Sequence, residues 1–249
     1  DFSEEVHKVL ALSAYRSSVV MAKERGAFTV YDAKREENNP FIQRLRDADP
    51  ELYKMMTKYG RRNIACLTIA PTGTTSIMTQ TTSGIEPVFM PVYTRRRKVN
   101  PNDKNVRVDF VDENGDSWEE YAVFHHKFVT WMEANGHSTT KHYTNEEIAD
   151  LVAQSPYYKA TANDVDWLKK VQMQGRIQKW VDHSISVTIN LPSDATEDLV
   201  GKLYEEAWRS GCKGVTVYRD GSRSGVLIAS SEKKEEKKDE KTVCFPYDE

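Results

Sequence analysis

Residues 70 to 87, APTGTTSIMTQTTSGIEP, hold six Thr and two Ser, and Glu86 is their only charge. An apolar run, NIACLTIA (63–70), precedes them and Pro87 closes them. Hydroxyls and main-chain amides at the mouth of a helix suit one chemistry above others, the binding of a phosphate without a countercharge. The first amides of a helix have no intrahelical acceptor, the helix dipole puts partial positive charge there, and Ser and Thr add donors. Gly73 lets the main chain come close to a ligand. The same composition also describes a Ser/Thr-rich cap that satisfies only its own backbone, and residue chemistry leaves both readings open. A Walker A loop is excluded, because GxxxxGK[ST] needs a lysine and none lies between Ile69 and Pro87.

The elements around this stretch must position it. NIACLTIA reads as a short buried strand of a parallel sheet. PTGTTS then forms a loop at the strand's carboxyl end, and a helix follows from near Ile77. Ligands of α/β folds bind at that end of the sheet. Downstream, SISVTINLP reads as a strand, TEDLVGKLYEEAWRSG as a helix and GVTVYRDG as a strand. This crossover order makes the fold class α/β.

Upstream, SEEVHKVLALSAYRSSVVMAKERG predicts a helix with Val6, Leu10, Ala14 and Val20 or Met21 near one face, capped by Ser3 and stopped by Gly26. FIQRLRDA follows a turn, and PELYKMMTKY begins at Pro50 after Asp49 and ends at Gly60. TRRRKV and VRVDFV flank the polar cluster NPNDKN and suggest a hairpin. WEEYAVFHHKFVTWMEANG predicts a helix ending at Gly136, and TNEEIADLVAQSP another, with Thr144 and Glu147 at capping-box spacing. NDVDWLKKVQMQGRIQKWV is amphipathic, with Gly175 weakening its second half. SSEKKEEKKDEK, from Ser230 to Lys241, has no apolar residue and reads as solvated. The expected division is therefore residues 1–229 as one α/β domain and 230–249 as a charged tail or linker.

Composition narrows the functional classes. The 249 residues are 39% hydrophobic, enough for a sizeable core. Thirty-five Lys and Arg against 38 Asp and Glu give a net charge of -3, which provides no general attraction to nucleic acid or anionic lipid. No apolar stretch reaches membrane-spanning length, and the opening DFSEEVHKVL lacks the features of a signal peptide, so the expected compartment is the cytoplasm. Cys66, Cys212 and Cys244 are far apart and form no CxxC pair, as expected in a reducing compartment. A first residue of Asp rather than Met suggests a processed or excised piece.

Other reactive residues read blandly. Arg95, Arg96, Arg97 and Lys98 alternate across a strand and suit a solvated edge. His125 and His126 fall in a helical segment, and His137 and His142 lack a cysteine pair, so no metal site is expected. Trp118, Trp131, Trp167, Trp180 and Trp208 fall in predicted helices as core or interface residues. Cys66 and Cys212 read as structural thiols, and Cys244 is left without a role.

RRNIACLTIAPTGTTSIMTQTTSGIEPVF resembles the phosphate-binding region of ribonucleotide reductase large subunits, in which a Pro-x-x-Thr-x-Ser loop precedes Gly-Ile-Glu-Pro. ERGAF (24–28), DHSISVTINLP (182–192) and GCKGVTVYRDGSRSGVL (211–227) are similar to further family blocks in the same order. The likeness thus runs from residue 1 to about residue 228. With Tyr218 alone in Val215-Thr216-Val217-Tyr218-Arg219, the last block lacks adjacent tyrosines and is similar to the adenosylcobalamin-dependent class II enzymes.

The resemblance implies a ten-stranded α/β barrel, of which this chain is the C-terminal part. It implies ribonucleoside-diphosphate reduction to deoxyribonucleotides by thiyl radical chemistry. Substrate phosphate would bind at Pro71, Thr72, Gly73, Thr74, Thr75 and Ser76, and Glu86 is a candidate for organising the pocket. Adenosylcobalamin is the implied cofactor, its contacts unassigned beyond the neighbourhood of Thr216, Val217 and Tyr218. The family's Asn-x-Cys-x-Glu radical motif is absent, so no catalytic residue is expected in this chain and the isolated chain is expected to be inactive. A complementary N-terminal reductase chain or segment is therefore an expected partner, and a homodimer of the complete enzyme is another. The alternative is a catalytically dead or interaction protein that retains the barrel fold.

Overall fold

The computed structural model describes residues 2–100 and 106–222. The charged run 230–241 and Cys244 lie outside these residues. Among the described residues the chain divides into two compact units, one of residues 2–91 with 124–222, the other of residues 92–100 with 106–123.

The first unit opens with α1 (Phe2–Arg25), α2 (Ala33–Glu36), α3 (Pro40–Ala48) and α4 (Pro50–Tyr59). Asp49 separates the last two: its amide closes α3 on Leu45 O, and its side chain caps α4 by accepting from Leu52 N. Proline at the first position of both helices costs no hydrogen bond there. The buried stripe of α1 is Ala11, Tyr15, Ser18, Val19 and Ala22, not the expected face. Val6, Leu10 and Val20 are exposed instead. Polar anchors explain the rotation, since Tyr15 Oη donates to Asp182 at 2.6 Å and Ser18 Oγ to Asn63 at 2.9 Å. Ala11, Tyr15 and Val19 pack with Ile42, Leu45, Leu52 and Met56.

After α5 (Gly73–Met78), the first unit resumes with α6 (His126–Ala134), α7 (Asn145–Gln154), α8 (Trp167–Gln178), β4 (Thr188–Leu191), α9 (Glu197–Arg209) and β5 (Thr216–Arg219). The capping box at α7 forms as expected between Thr144 and Glu147. β4 and β5 are parallel, with Thr188 opposite Thr216 and Leu191 opposite Arg219, so the strand-helix-strand crossover is present. Val171, Ile189, Leu191, Leu203 and Ala207 form its core. Gly175 does not weaken α8. A Cβ there would lie 2.4 Å from Ser210 O, so glycine is what permits the close approach of α8 to the end of α9.

NIACLTIA forms no regular strand. It lies parallel to residues 183–186 through a single bridge between Ile69 and Ile185, with His183 N donating to Leu67 O and Ser186 N to Ile69 O. Among the described residues the architecture is α/β, and the parallel strands do not close into a barrel.

The second unit carries β1 (Val92–Lys98), β2 (Phe110–Val111) and β3 (Ser117–Phe124), whose last residue belongs to the first unit; the sheet order is β1-β3-β2. Two expectations are corrected. The segment WEEYAVF is β3 rather than helix, and the helix begins only at His126. β1 pairs with β3 instead of forming a hairpin with β2. The charge pattern accounts for both, because Arg96 pairs with Glu120 at 2.7 Å and Arg97 with Glu119 at 2.6 Å. The basic strand is thus an exposed outer strand, as its composition suggested. Trp118 consequently lies on a strand, stacked on Phe110 with ring centroids 6.3 Å apart.

Candidate functional site

The hydroxyl-rich stretch is not a loop that leads into a helix at Ile77. GTTS is itself the first turn of α5, with Thr72 as its N-cap. Thr72 sits at φ 23°, ψ 30°, a left-handed conformation that a β-branched residue adopts only at a cost of about 1–3 kcal/mol. Two bonds hold it there. Its Oγ1 accepts from Gly84 N at 2.9 Å, and its carbonyl accepts from Ser76 N at 2.8 Å.

Ser76 is buried, and its hydroxyl donates to Gly73 O at 2.7 Å and lies 3.1 Å from Ser83 Oγ. It braces the turn from within. Thr79 bonds back to Thr75 O, and Thr81 N to Ser76 O. Pro71, Thr72, Gly73, Thr74 and Thr75 are all exposed. Among the described residues the amides of Gly73, Thr74 and Thr75 donate to no acceptor. Three consecutive donors therefore face outward with the hydroxyls of Thr74 and Thr75 beside them, and no acidic side chain lies in the turn. Ile77 and Met78 follow, 74% and 81% exposed.

An apolar floor supports the turn: Ile69 and Ile85 pack against Ile177, Val181, Ile185 and Val187. Gly84, at φ 51°, is close enough to this floor that a Cβ would meet Ile69 Cγ2 at 3.3 Å. Glu86 reaches away from the turn to the start of β4, where its Oε1 accepts from Thr188 N at 2.6 Å. Lys170, only 5% exposed, donates to the carbonyl of the same residue at 2.7 Å. Burial holds the Lys170 ammonium below its ordinary pKa, and the nearby Glu86 charge opposes that shift. Glu86 organises the junction between the turn and the parallel strands.

Asp182 is the residue whose role composition did not announce. One carboxylate oxygen accepts from Tyr15 Oη and from Cys66 N at 2.7 Å, and the other from Leu67 N at 3.0 Å. It substitutes for the ladder that NIACLTIA lacks. The only signal in the sequence was an acidic residue three positions ahead of the alternating run ISVTIN. Burial, then the Asp182 bond and charge, pushes the Tyr15 hydroxyl far up. Burial first and Asp182 second also push up the Cys66 thiol, while burial with Glu206 raises Cys212 to about 11. Both thiols are held protonated, which suits structural cysteines.

At the far edge, Thr216 is exposed while Val217 and Tyr218 are half-buried, with Val217 packed on the core of the crossover. Among the described residues no group of three or more His, Cys, Asp or Glu is placed to hold a metal, and no helix is long and apolar enough to cross a membrane.

Residues 1–218 match the family model described as "Ribonucleotide reductase, barrel domain". The chain is 28% identical over 98% of its length to a vitamin B12-dependent ribonucleoside-diphosphate reductase of Thermoplasma acidophilum, and covers 28% of that protein. It is 29% identical over 88% of its length to the protein of the same name from Mycobacterium tuberculosis, covering 27% of it. A ribonucleoside-diphosphate reductase subunit alpha of Chlamydia pneumoniae is 24% identical over 93% of the chain, which covers 23% of it. The chain thus spans about a quarter of the length of these relatives. It belongs to the ribonucleotide reductase barrel-domain family.

Proposed function

We propose that this chain is the substrate-phosphate-binding part of a vitamin B12-dependent ribonucleoside-diphosphate reductase, and that the radical cysteine lies on a portion outside it. The outward amides of Gly73, Thr74 and Thr75 carry this reading. They would receive the terminal oxygens of the substrate pyrophosphate, with the Thr74 and Thr75 hydroxyls as further donors. A neutral cradle of fixed donors holds the anion without demanding a paired cation. Thr72 and Ser76 would hold the shape of the cradle, and Gly84 and Glu86 would tie it to β4, so that the ribose is presented in one orientation.

The reduction that the family membership implies proceeds by removal of the ribose 3′ hydrogen by a cysteine thiyl radical. The 2′ hydroxyl then leaves as water, and a cysteine pair is oxidised to the disulfide as it supplies two electrons. Among the described residues no thiol fits those roles, since Cys66 and Cys212 are both partly buried and held protonated. Adenosylcobalamin supplies the initiating radical in enzymes of the class named by the relatives. Thr216 and Tyr218 offer hydroxyls at a strand edge but no imidazole or free thiolate, and Val217 faces the core. These residues do not by themselves fit a corrin. The relatives' names and the lone Tyr218 support the cofactor.

The exposed Ile64, Ile77 and Met78 support a complementary N-terminal segment that covers them. The isolated chain would then be inactive. Two measurements test the reading. A ribonucleoside diphosphate should bind the reconstituted protein at least tenfold more weakly when Thr74 is replaced by Pro and Thr75 by Val, which removes one amide and both hydroxyls, and an unchanged Kd rejects the cradle. Combining the chain with an N-terminal reductase portion should restore reduction only with adenosylcobalamin. No product under either condition favours a catalytically dead protein that keeps the fold.

A further inference from the structure

A cavity of about 280 Å³ lies at the other end of α5 and is lined by Thr81, Thr82, Val88, His125, Lys127, Pro156, Tyr157 and Ala160. Main-chain bonds assemble it. Ala162 N donates to Val88 O at 2.9 Å and His125 N to Pro91 O at 2.8 Å, which brings the start of α6 and the turn after α7 onto the segment that follows Glu86.

The polar groups of its lining are donors. His125 caps α6 by accepting the Lys127 amide on Nδ1, so the proton of the neutral ring sits on Nε2. Burial, followed by the charges of His126 and Lys127, lowers the pKa of this ring. Burial raises that of Tyr157, which stays a phenol. Among the described residues the side-chain hydroxyls of Thr81, Thr82 and Tyr157, the His125 Nε2 and the Lys127 ammonium have no hydrogen-bond or ion-pair partner. No carboxylate lines the cavity. These residues line one open pocket with a cation among them and no acid, a lining complementary in charge and hydrogen bonding to an anion. The volume is several times the roughly 30 Å³ share of a liquid water, so a tetrahedral oxyanion enters without displacing protein.

From this convergence we infer a second anion site, built by Thr81, Thr82, His125, Lys127 and Tyr157, that takes a compact oxyanion of the phosphate class. The site does not depend on the substrate reading. The cradle uses residues 73–75 at the start of α5, whereas Thr81 and Thr82 follow its end.

Inorganic phosphate is the probe, titrated into the full chain and followed by calorimetry and by backbone amide shifts. The background is Thr74→Pro/Thr75→Val, which removes one amide and both hydroxyls of the proposed cradle. Phosphate should still bind this double variant and should shift the amides of Thr81, Thr82 and Tyr157. Adding Lys127→Met should weaken binding at least tenfold, and Tyr157→Phe a few-fold, with thermal melts showing that each variant is folded. Absence of binding in the double variant overturns the inference, as does equal affinity with and without Lys127. If Lys127→Met fails to fold, the amide shifts decide, and phosphate that leaves Thr81, Thr82 and Tyr157 unmoved overturns the site. Loss of phosphate binding with the Thr74/Thr75 pair alone would mean that the cradle is real and this cavity is not a site.

Discussion

Two parallel contacts meet along residues 182–191, and they are built in opposite ways. β4 meets β5 through a four-residue register, backed by α8 and α9 and a core of Val171, Ile189, Leu191, Leu203 and Ala207. Residues 66–69 meet 183–186 through one bridge and a few main-chain bonds, and the Asp182 carboxylate takes the amides of Cys66 and Leu67 besides the Tyr15 hydroxyl. The first contact is held by many equivalent bonds and apolar packing. The second has one bridge, a few main-chain bonds and the Asp182 carboxylate in place of a regular ladder. The candidate cradle departs from its end, at Ala70.

Substitutions should expose this difference. Asp182→Ala leaves three donors without their charged acceptor and should cost about 4 kcal/mol in urea denaturation of the full chain. A loss below about 1 kcal/mol would mean that the main-chain bonds alone hold the segment. Leu203→Ala opens a cavity in the crossover core and should cost about 3 kcal/mol, with residues 66–69 unaffected in amide exchange. Glu86→Ala removes the acceptor of Thr188 N, where the two regions join, and should cost about 2 kcal/mol. It should also raise amide exchange at Gly84 if the turn is tied down through that junction.

The smallest effect is a pH dependence. Because burial lowers the pKa of Lys170 in the folded chain, the unfolded chain binds the proton more tightly, and folding stability should rise with pH. The rise spans the window from the lowered folded value to the unfolded value near 10.4. Lys170→Met should lack it while staying within about 1 kcal/mol of the parent at neutral pH. An identical alkaline profile in parent and variant would show that Lys170 is not held deprotonation-prone by its surroundings.

Parts of this arrangement were legible in the residues themselves. The caps at Asp49, Thr144 and Gly60, the crossover from Thr188 to Arg219, and the outer position of the basic strand all follow from local chemistry. The turn at residues 71–76 was legible as a ligand candidate, but not that its hydroxyls divide, with Thr72 and Ser76 turned to bracing and Thr74 and Thr75 left outward. WEEYAVF misled because its Glu and Ala residues favour helix as much as its Trp, Tyr and Val favour strand. Partners more than twenty positions away, Arg96 and Arg97, resolved the conflict.

By itself, then, the sequence determined the α/β class, most helix ends and the ordered family blocks, and singled out residues 71–76 as a candidate for anion binding, because capping, periodicity and turn chemistry act between near neighbours. Only the tertiary structure decided which face of α1 is buried, that NIACLTIA is tied by Asp182 instead of a ladder, and that Glu86 and Lys170 clamp Thr188 from both sides. Those outcomes depend on buried polar groups finding partners up to 167 positions away. The cost of leaving such a group unpaired outweighs any local preference.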